Sequence, residues 1–326
     1  MNNNDSAPQY APPAYPPPRT DRVPGSSHLS HPGYIPRPDP SAPPQWEASV
    51  GEAQMVQLYP FGRYHDAGKN NFDRGVKFCE WHPHINPPQY VGYEHLDLLR
   101  TQGVKAWTVS PPSQFNGKIT KERDGTIEIK TRYDPETDKT LVSSFPLLWG
   151  HYSPREGAKG VYYEVEIEKL GRDAVVAIGF GCLPYPTDFR LPGWHRHSAA
   201  VHSDDGFKFF ENPMGGLPYT EPFRKGRMSS REENSLTAEI IGVGIYHPSS
   251  DNPSGAIFYT RNGYKLETAF SGTFFPRKDF DVHAMIGISG EVKVSINFGA
   301  GPRFKWQEGN EAGWKVGQEN FEKPRV

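Results

Sequence analysis

From Gly103 onward the apolar residues follow no helical period. They fall into short runs, many at two-residue spacing, bounded by Gly, Pro, Asn or Asp. A strand turns successive side chains to opposite faces, so this spacing builds half-buried strands and cannot line one stripe of a helix. Strands are predicted at 104–109, 126–131, 160–168, 174–181, 198–202, 237–246, 256–260, 282–288 and 292–297. Within 160–168, Tyr163, Val165 and Ile167 point one way and Glu164, Glu166 and Glu168 the other, giving one packed face and one wet face. Asn262-Gly263 supplies the residue pair that a tight hairpin turn requires. Such a chain is all-β, an antiparallel β-sandwich with long loops at one end.

Residues 1–45 are Pro, Ser, Asn and Tyr with almost no aliphatic side chain, and cannot bury enough surface to offset the entropy of ordering. A disordered proline-rich arm with polyproline II tendency is the expectation there. Residues 46–102 gain aromatic residues without a sustained period. They are expected to be irregular structure packed on or leading into the sandwich, apart from a short helix at 93–101 that groups Leu96, Leu98 and Leu99 before Gly103. The sandwich is expected over 103–306, with 307–326 as a C-terminal tail and 224–235 as a mobile polar loop.

Charge narrows the partners: 36 Lys and Arg against 38 Asp and Glu give a net charge of -2, no basis for collecting nucleic acid or an anionic membrane. Two cysteines, Cys79 and Cys182, are too few for a disulfide framework, which points to a reducing, cytoplasmic setting. No run of about 18 apolar residues occurs, so direct membrane insertion is not expected.

The order of the segments resembles the SPRY family. The resemblance is carried by GVYYEVEI, AVVAIGFGCLPYP, LPGWHRHSAAVHSDDGFKF, AEIIGVGI, GAIFYTRNGYKL and VSINFG, spread over 103–305. It departs from the family at Val201, where members often place an aromatic residue, and in the polar insertion 224–235. Within the family, PYPTDFRLPGWHRHS is most similar to fungal endosomal and vacuolar sorting adaptors that recruit a WW-domain ubiquitin ligase. The resemblance implies a non-enzymatic, cofactor-free chain whose loops bind a target protein or peptide, and recruitment to endosomal or vacuolar membranes through partners. A scaffold or substrate receptor of another ubiquitin ligase complex is the alternative.

Two tetrapeptides fit PPxY, the core ligand of WW domains: Pro12-Pro13-Ala14-Tyr15 and Pro87-Pro88-Gln89-Tyr90. Adjacent prolines pre-set a polyproline II turn for an aromatic groove, and the tyrosine two residues on fills the neighbouring pocket. For the second motif, packing of the segment on the sandwich is the competing reading, because a buried tyrosine cannot enter a WW groove. For the target, the expected loop contacts are Tyr162, Arg190, Leu191, Trp194, Tyr219, Arg224 and Tyr264, since Trp, Tyr and Arg anchor interfaces. Trp194 could instead lid the core, and Phe180, Phe210 and Phe258 are read as core.

Enzymatic readings are weaker. His195, His197 and His202 near Asp204 and Asp205 invite a metal, yet a catalytic zinc normally needs three converging ligands and a supporting shell. Asp204-Asp205-Gly206 reads as a turn. Ser203 beside His202 cannot form a triad, and no nucleophile elbow is present.

Overall fold

The computed structural model describes residues 69–132, 138–171, 173–195, 197–212, 215–223, 238–247, 255–271 and 280–324. The chain divides into two units, Met1–Ala42 and Pro43–Val326, and all described residues belong to the second. The first PPxY motif, with Pro12, Pro13 and Tyr15, therefore lies outside the described residues, as do Arg224 and the rest of the polar insertion.

In chain order the elements are helices α1 (Lys69–Trp81) and α2 (Tyr93–Gln102), then strands β1 (Val109–Ser110), β2 (Gly117–Lys121), β3 (Ile127–Thr131), β4 (Lys139–Ser143), β5 (Tyr152–Pro154), β6 (Gly160–Leu170), β7 (Val175–Gly181) and β8 (Ser198–His202). These are followed by β9 (Phe207–Phe210), β10 (Leu217–Pro218), β11 (Glu239–Tyr246), β12 (Ala256–Arg261), β13 (Tyr264–Ser271), β14 (His283–Ser289), β15 (Val292–Asn297) and β16 (Glu319–Pro324). One antiparallel sheet runs β1-β4-β14-β7-β8-β9-β10 and the other β13-β12-β11-β6-β15-β3-β2, while β16 pairs with β5. The all-β sandwich is what the two-residue period predicts.

The inner faces interdigitate as alternation requires: Tyr163, Val165 and Ile167 of β6 share one core with Ile178 and Phe180 of β7 and with Ala284 and Ile286 of β14. Two buried tyrosines pin the sheets together. The Tyr163 hydroxyl donates to the Gly179 carbonyl at 2.6 Å, and that of Tyr259 to the Ile178 carbonyl at 3.0 Å. Phe180, Phe210 and Phe258 are all buried. The Asn262-Gly263 hairpin joins β12 to β13 with φ of +52° and +87°, the left-handed pair that its turn needs.

Several expectations change. The run 104–109 is a 3-10 turn over Gly103–Ala106 followed only later by β1, because Ala106 and Trp107 bury next to α2 rather than extending a sheet. The helix at 93–101 forms as α2, with Gly103 at φ +56° closing it and only Leu99 buried. Residues 69–81 form a helix where no period was visible. Helix α1 docks through Gly75, where a Cβ would lie 1.9 Å from His195 Nε2, so any larger residue would have to displace that ring.

Both outer faces are partly covered, which the alternation alone did not reveal. Residues 304–314 lie over β6, β11 and β12, where Phe304, Trp306 and Trp314 cluster with Tyr162 and Phe258. Glu164 is thereby buried instead of wet. The C-terminal stretch is no simple tail, since Trp314 and Val316 are buried and Glu319–Pro324 forms β16.

Candidate partner-binding surface

The loop that precedes β8 carries three of the expected contact residues, and the structure folds it down on the sheet. Arg190, Leu191 and Trp194 are all buried, at 0%, 1% and 2% exposure. Leu191 and Trp194 form a small cluster with Val175, Ala177, Ala200 and Phe209 on the outer face. The clamp is polar: Thr140 Oγ1 donates to the Arg190 carbonyl at 2.5 Å, the Tyr185 hydroxyl to that of Leu191 at 2.5 Å, and His202 Nε2 reaches the Pro192 carbonyl at 2.9 Å. The Arg190 guanidinium stacks over Trp194 at 4.5 Å. It also faces Asp138, whose pKa burial pushes up to about 6 against the attraction of that guanidinium. In this fold all three side chains are buried rather than presented on the surface, with Trp194 closed over the outer-face cluster.

Tyr162 is also corrected: it sits on β6 rather than in a loop and is fully buried. Tyr219 is half-buried, its hydroxyl donating to the Glu267 carbonyl at 2.5 Å, with Lys208 Nζ on the Ala269 carbonyl at 2.6 Å. Together they cap two carbonyls of β13. Tyr264 at the hairpin tip alone among the described expected contacts is open, with 79% exposure.

The histidines do not converge. His197 turns at φ +52° ahead of β8 and faces Glu211 at 3.7 Å, while His202 is taken up by Pro192. Among the described residues no group of three or more His, Cys, Asp or Glu could hold a metal ion. Gly206 closes the Asp204-Asp205 turn at φ +73°, with Asp205 Oδ1 accepting from the Phe207 amide at 2.8 Å.

The second PPxY segment lies on the surface. Pro87 is exposed, Pro88 half-buried and Tyr90 63% exposed. Nearby, Trp81 and Tyr93 are 76% and 92% exposed. The segment is tacked down by residues that its sequence could not name. The Gln89 amide donates to Asp281 Oδ2 at 2.8 Å, the Val91 amide to the Tyr152 hydroxyl at 3.0 Å, and Tyr90 lies on His151 with centroids 3.9 Å apart.

Between α2 and the C-terminal strand runs a groove of about 650 Å3. Its floor includes Leu99, Trp107, Val316 and Phe321, and its rim carries Arg100, Arg155 and Lys315 against Glu322.

The protein is thus an antiparallel β-sandwich on which, among the described residues, the most exposed aromatic side chains (Trp81, Tyr90, Tyr93 and Tyr264) sit on added segments and a hairpin tip. Residues 160–301 match the family model of the SPRY domain, and this part of the chain is a SPRY domain. It is similar to "Protein ssh4" of Aspergillus clavatus, 29% identical over 239 residues, which cover 72% of this chain and 39% of that protein. "Protein ssh4" of Neurospora crassa is 30% identical over 222 residues, 66% of this chain and 36% of the relative. "SPRY domain-containing protein C285.10c" of Schizosaccharomyces pombe is 28% identical over 207 residues, 63% and 44% of the two chains. The chain thus spans well under half the length of these relatives. A crystal structure of a human SPRY domain is 20% identical, covering 58% of this chain and all of that one with a TM-score of 0.41. Among the described residues no helix is long and apolar enough to cross a membrane.

Proposed function

We propose that this chain is a non-catalytic interaction adaptor whose PPxY motifs recruit a WW-domain ubiquitin ligase to a target protein held by the sandwich, for sorting at endosomal or vacuolar membranes. One observation carries the reading: the Pro87 to Tyr90 segment lies on the surface with Tyr90 63% exposed, so the motif is not consumed by the core. Two motifs on one chain can engage two WW modules of one ligase, with an avidity gain of roughly 10² to 10⁴ over a single site. Target binding falls to the surfaces that stay open, the hairpin tip at Tyr264 and the groove rimmed by Arg100, Arg155 and Lys315.

The test is titration of a panel of labelled WW domains into the full chain. Micromolar binding is expected that weakens in Tyr15→Ala and in Tyr90→Ala and disappears only in the double variant. Binding that is absent from the start, or that survives the double variant, would sink the ligase-adaptor reading and leave a target-binding SPRY scaffold.

A further inference from the structure

Burial along the second motif repeats every three residues: Ile85, Pro88 and Val91 are half-buried, while Asn86, Pro87, Gln89, Tyr90 and Gly92 are exposed. Three residues per turn is the polyproline II period. Gly92 keeps that conformation at φ -67° and ψ 157° before α2 begins. The inward ridge packs on the sandwich, since Ile85 and Val91 contact the main core.

Backbone groups hold the strip at intervals. The Asn86 amide donates to the Leu183 carbonyl at 2.7 Å, followed by the bonds of Gln89 to Asp281 and of Val91 to Tyr152. Gln89 Nε2 folds back onto the Pro87 carbonyl at 2.8 Å. Asp281 is shared: its other carboxylate oxygen accepts the Gly150 amide at 2.9 Å, which places the neighbouring His151 beside the strip. The rings of His151 and Tyr90 are 10° from parallel, and Tyr152 meets Tyr90 edge-on at 6.4 Å.

This arrangement conflicts with a WW groove. Such a groove takes the adjacent prolines against aromatic rings and seats the tyrosine in a pocket. Here Pro88 is turned inward and one face of Tyr90 is covered. We infer that the sandwich is the resident partner of its own second motif, and that a cradle of His151, Tyr152 and Asp281 competes with the WW domain for the strip from Ile85 to Val91. The ligase then reads this motif only in the fraction of molecules whose strip has lifted, and its apparent affinity is reduced by that fraction. The inference rests on the reading of Pro87 to Tyr90 as a WW ligand, and adds that this ligand is masked.

The test uses the full chain carrying Tyr15→Ala, so that only the second motif reports. A synthetic peptide of residues 83–93 should bind the WW domain more tightly than this chain, by roughly tenfold if one strip in ten is lifted. His151→Ala and Asp281→Asn should each move the chain toward the peptide, and speed hydrogen exchange at the Gln89 and Val91 amides. Equal affinity of peptide and chain, unchanged by either variant while Tyr90→Ala abolishes binding, would overturn the masking and leave the motif a ligand in its docked pose. If Tyr90→Ala changes nothing in any background, the ligase reading of this motif falls. Exchange then judges the cradle alone, and unaltered protection of Gln89 and Val91 in His151→Ala would overturn it.

Discussion

Glu164→Ala should destabilise the domain by about 3–5 kcal/mol, because it strands several buried donors at once. The carboxylate of Glu164 accepts from the Tyr162 hydroxyl at 2.8 Å, the Lys305 amide at 2.9 Å and the Trp306 amide at 3.0 Å. Thr260 Oγ1 lies 2.7 Å from the same Tyr162 hydroxyl. This one side chain fastens residues 304–306, and with them the cluster of Phe304, Trp306 and Trp314, onto the outer face of β6. Burial, then the charge of Glu164, pushes the Tyr162 hydroxyl well above its ordinary ionisation range, so it stays a donor throughout the accessible pH range. Urea denaturation followed by tryptophan fluorescence measures the loss. Tyr162→Phe, which removes one hydroxyl and leaves both amides paired, should cost only about 1 kcal/mol. A Glu164→Ala midpoint within experimental scatter of the parent would show that the C-terminal segment holds on by its apolar contacts alone.

That carboxylate marks the limit of what alternation can reveal. Ser198–His202 and Val292–Asn297 agree with the predicted strands residue for residue, and β6, β7, β11, β12 and β14 within a few positions, because most of their inward residues are β-branched or aromatic. Glu164 occupies an outward position in a strand of period two, and only the return of the chain 141 residues later buries it. Strand β4 was missed for a related reason. It is buried along its whole length, so Lys139 to Ser143 shows no alternation once the loop before β8 covers its second face.

The same distance effect separates the legible part of the candidate surface from the illegible part. PPxY is a local spacing, and its tendency to polyproline II is visible in four residues. Its cradle comes from positions 61 and 192 residues away, to which no local pattern points. Residue type also misleads where an interface and a lid use the same chemistry. Trp194 and Arg190 suit a binding hot spot, but here the tryptophan stacks on the buried guanidinium and both side chains are buried where their loop folds onto the sheet. Phe304, Trp306 and Trp314 return to cover Tyr162 on β6, whereas Tyr264 at the hairpin tip stays 79% exposed.

Acidification below pH 6.5 should destabilise this domain, through two histidines buried in neutral form. Burial lowers the pKa of His202 to about 4, and that of His283 to about 4 as well. His202 is stacked 4.1 Å from Phe209 with its Nε2 on the Pro192 carbonyl. His283 has Nδ1 2.9 Å from the Ser143 carbonyl, between β14 and β4. A histidine whose folded pKa lies below its unfolded value binds fewer protons when folded. Its stabilisation is therefore complete above about pH 6.5 and is lost as pH falls toward 4, by about 3 kcal/mol each. Asp138 works in the opposite sense. With its folded pKa raised to about 6 from 3.8, it favours the fold below pH 4 and loses that contribution as pH rises through 6. Discounted for its partial exposure, it returns about 2 kcal/mol on acidification. Two histidines outweigh Asp138, and these three groups together should lower stability by about 3–4 kcal/mol between pH 6.5 and 4, with the carboxyls of Asp281 and Glu166, raised by burial, working in the same sense as Asp138. Urea midpoints across this range should show that decline, and His202→Gln should shrink it to about 1 kcal/mol while lowering stability at neutral pH. A curve that is level or rises toward pH 4 would mean that protonated imidazole is tolerated at both sites. The loop over β8 would then open readily enough to let water reach His202.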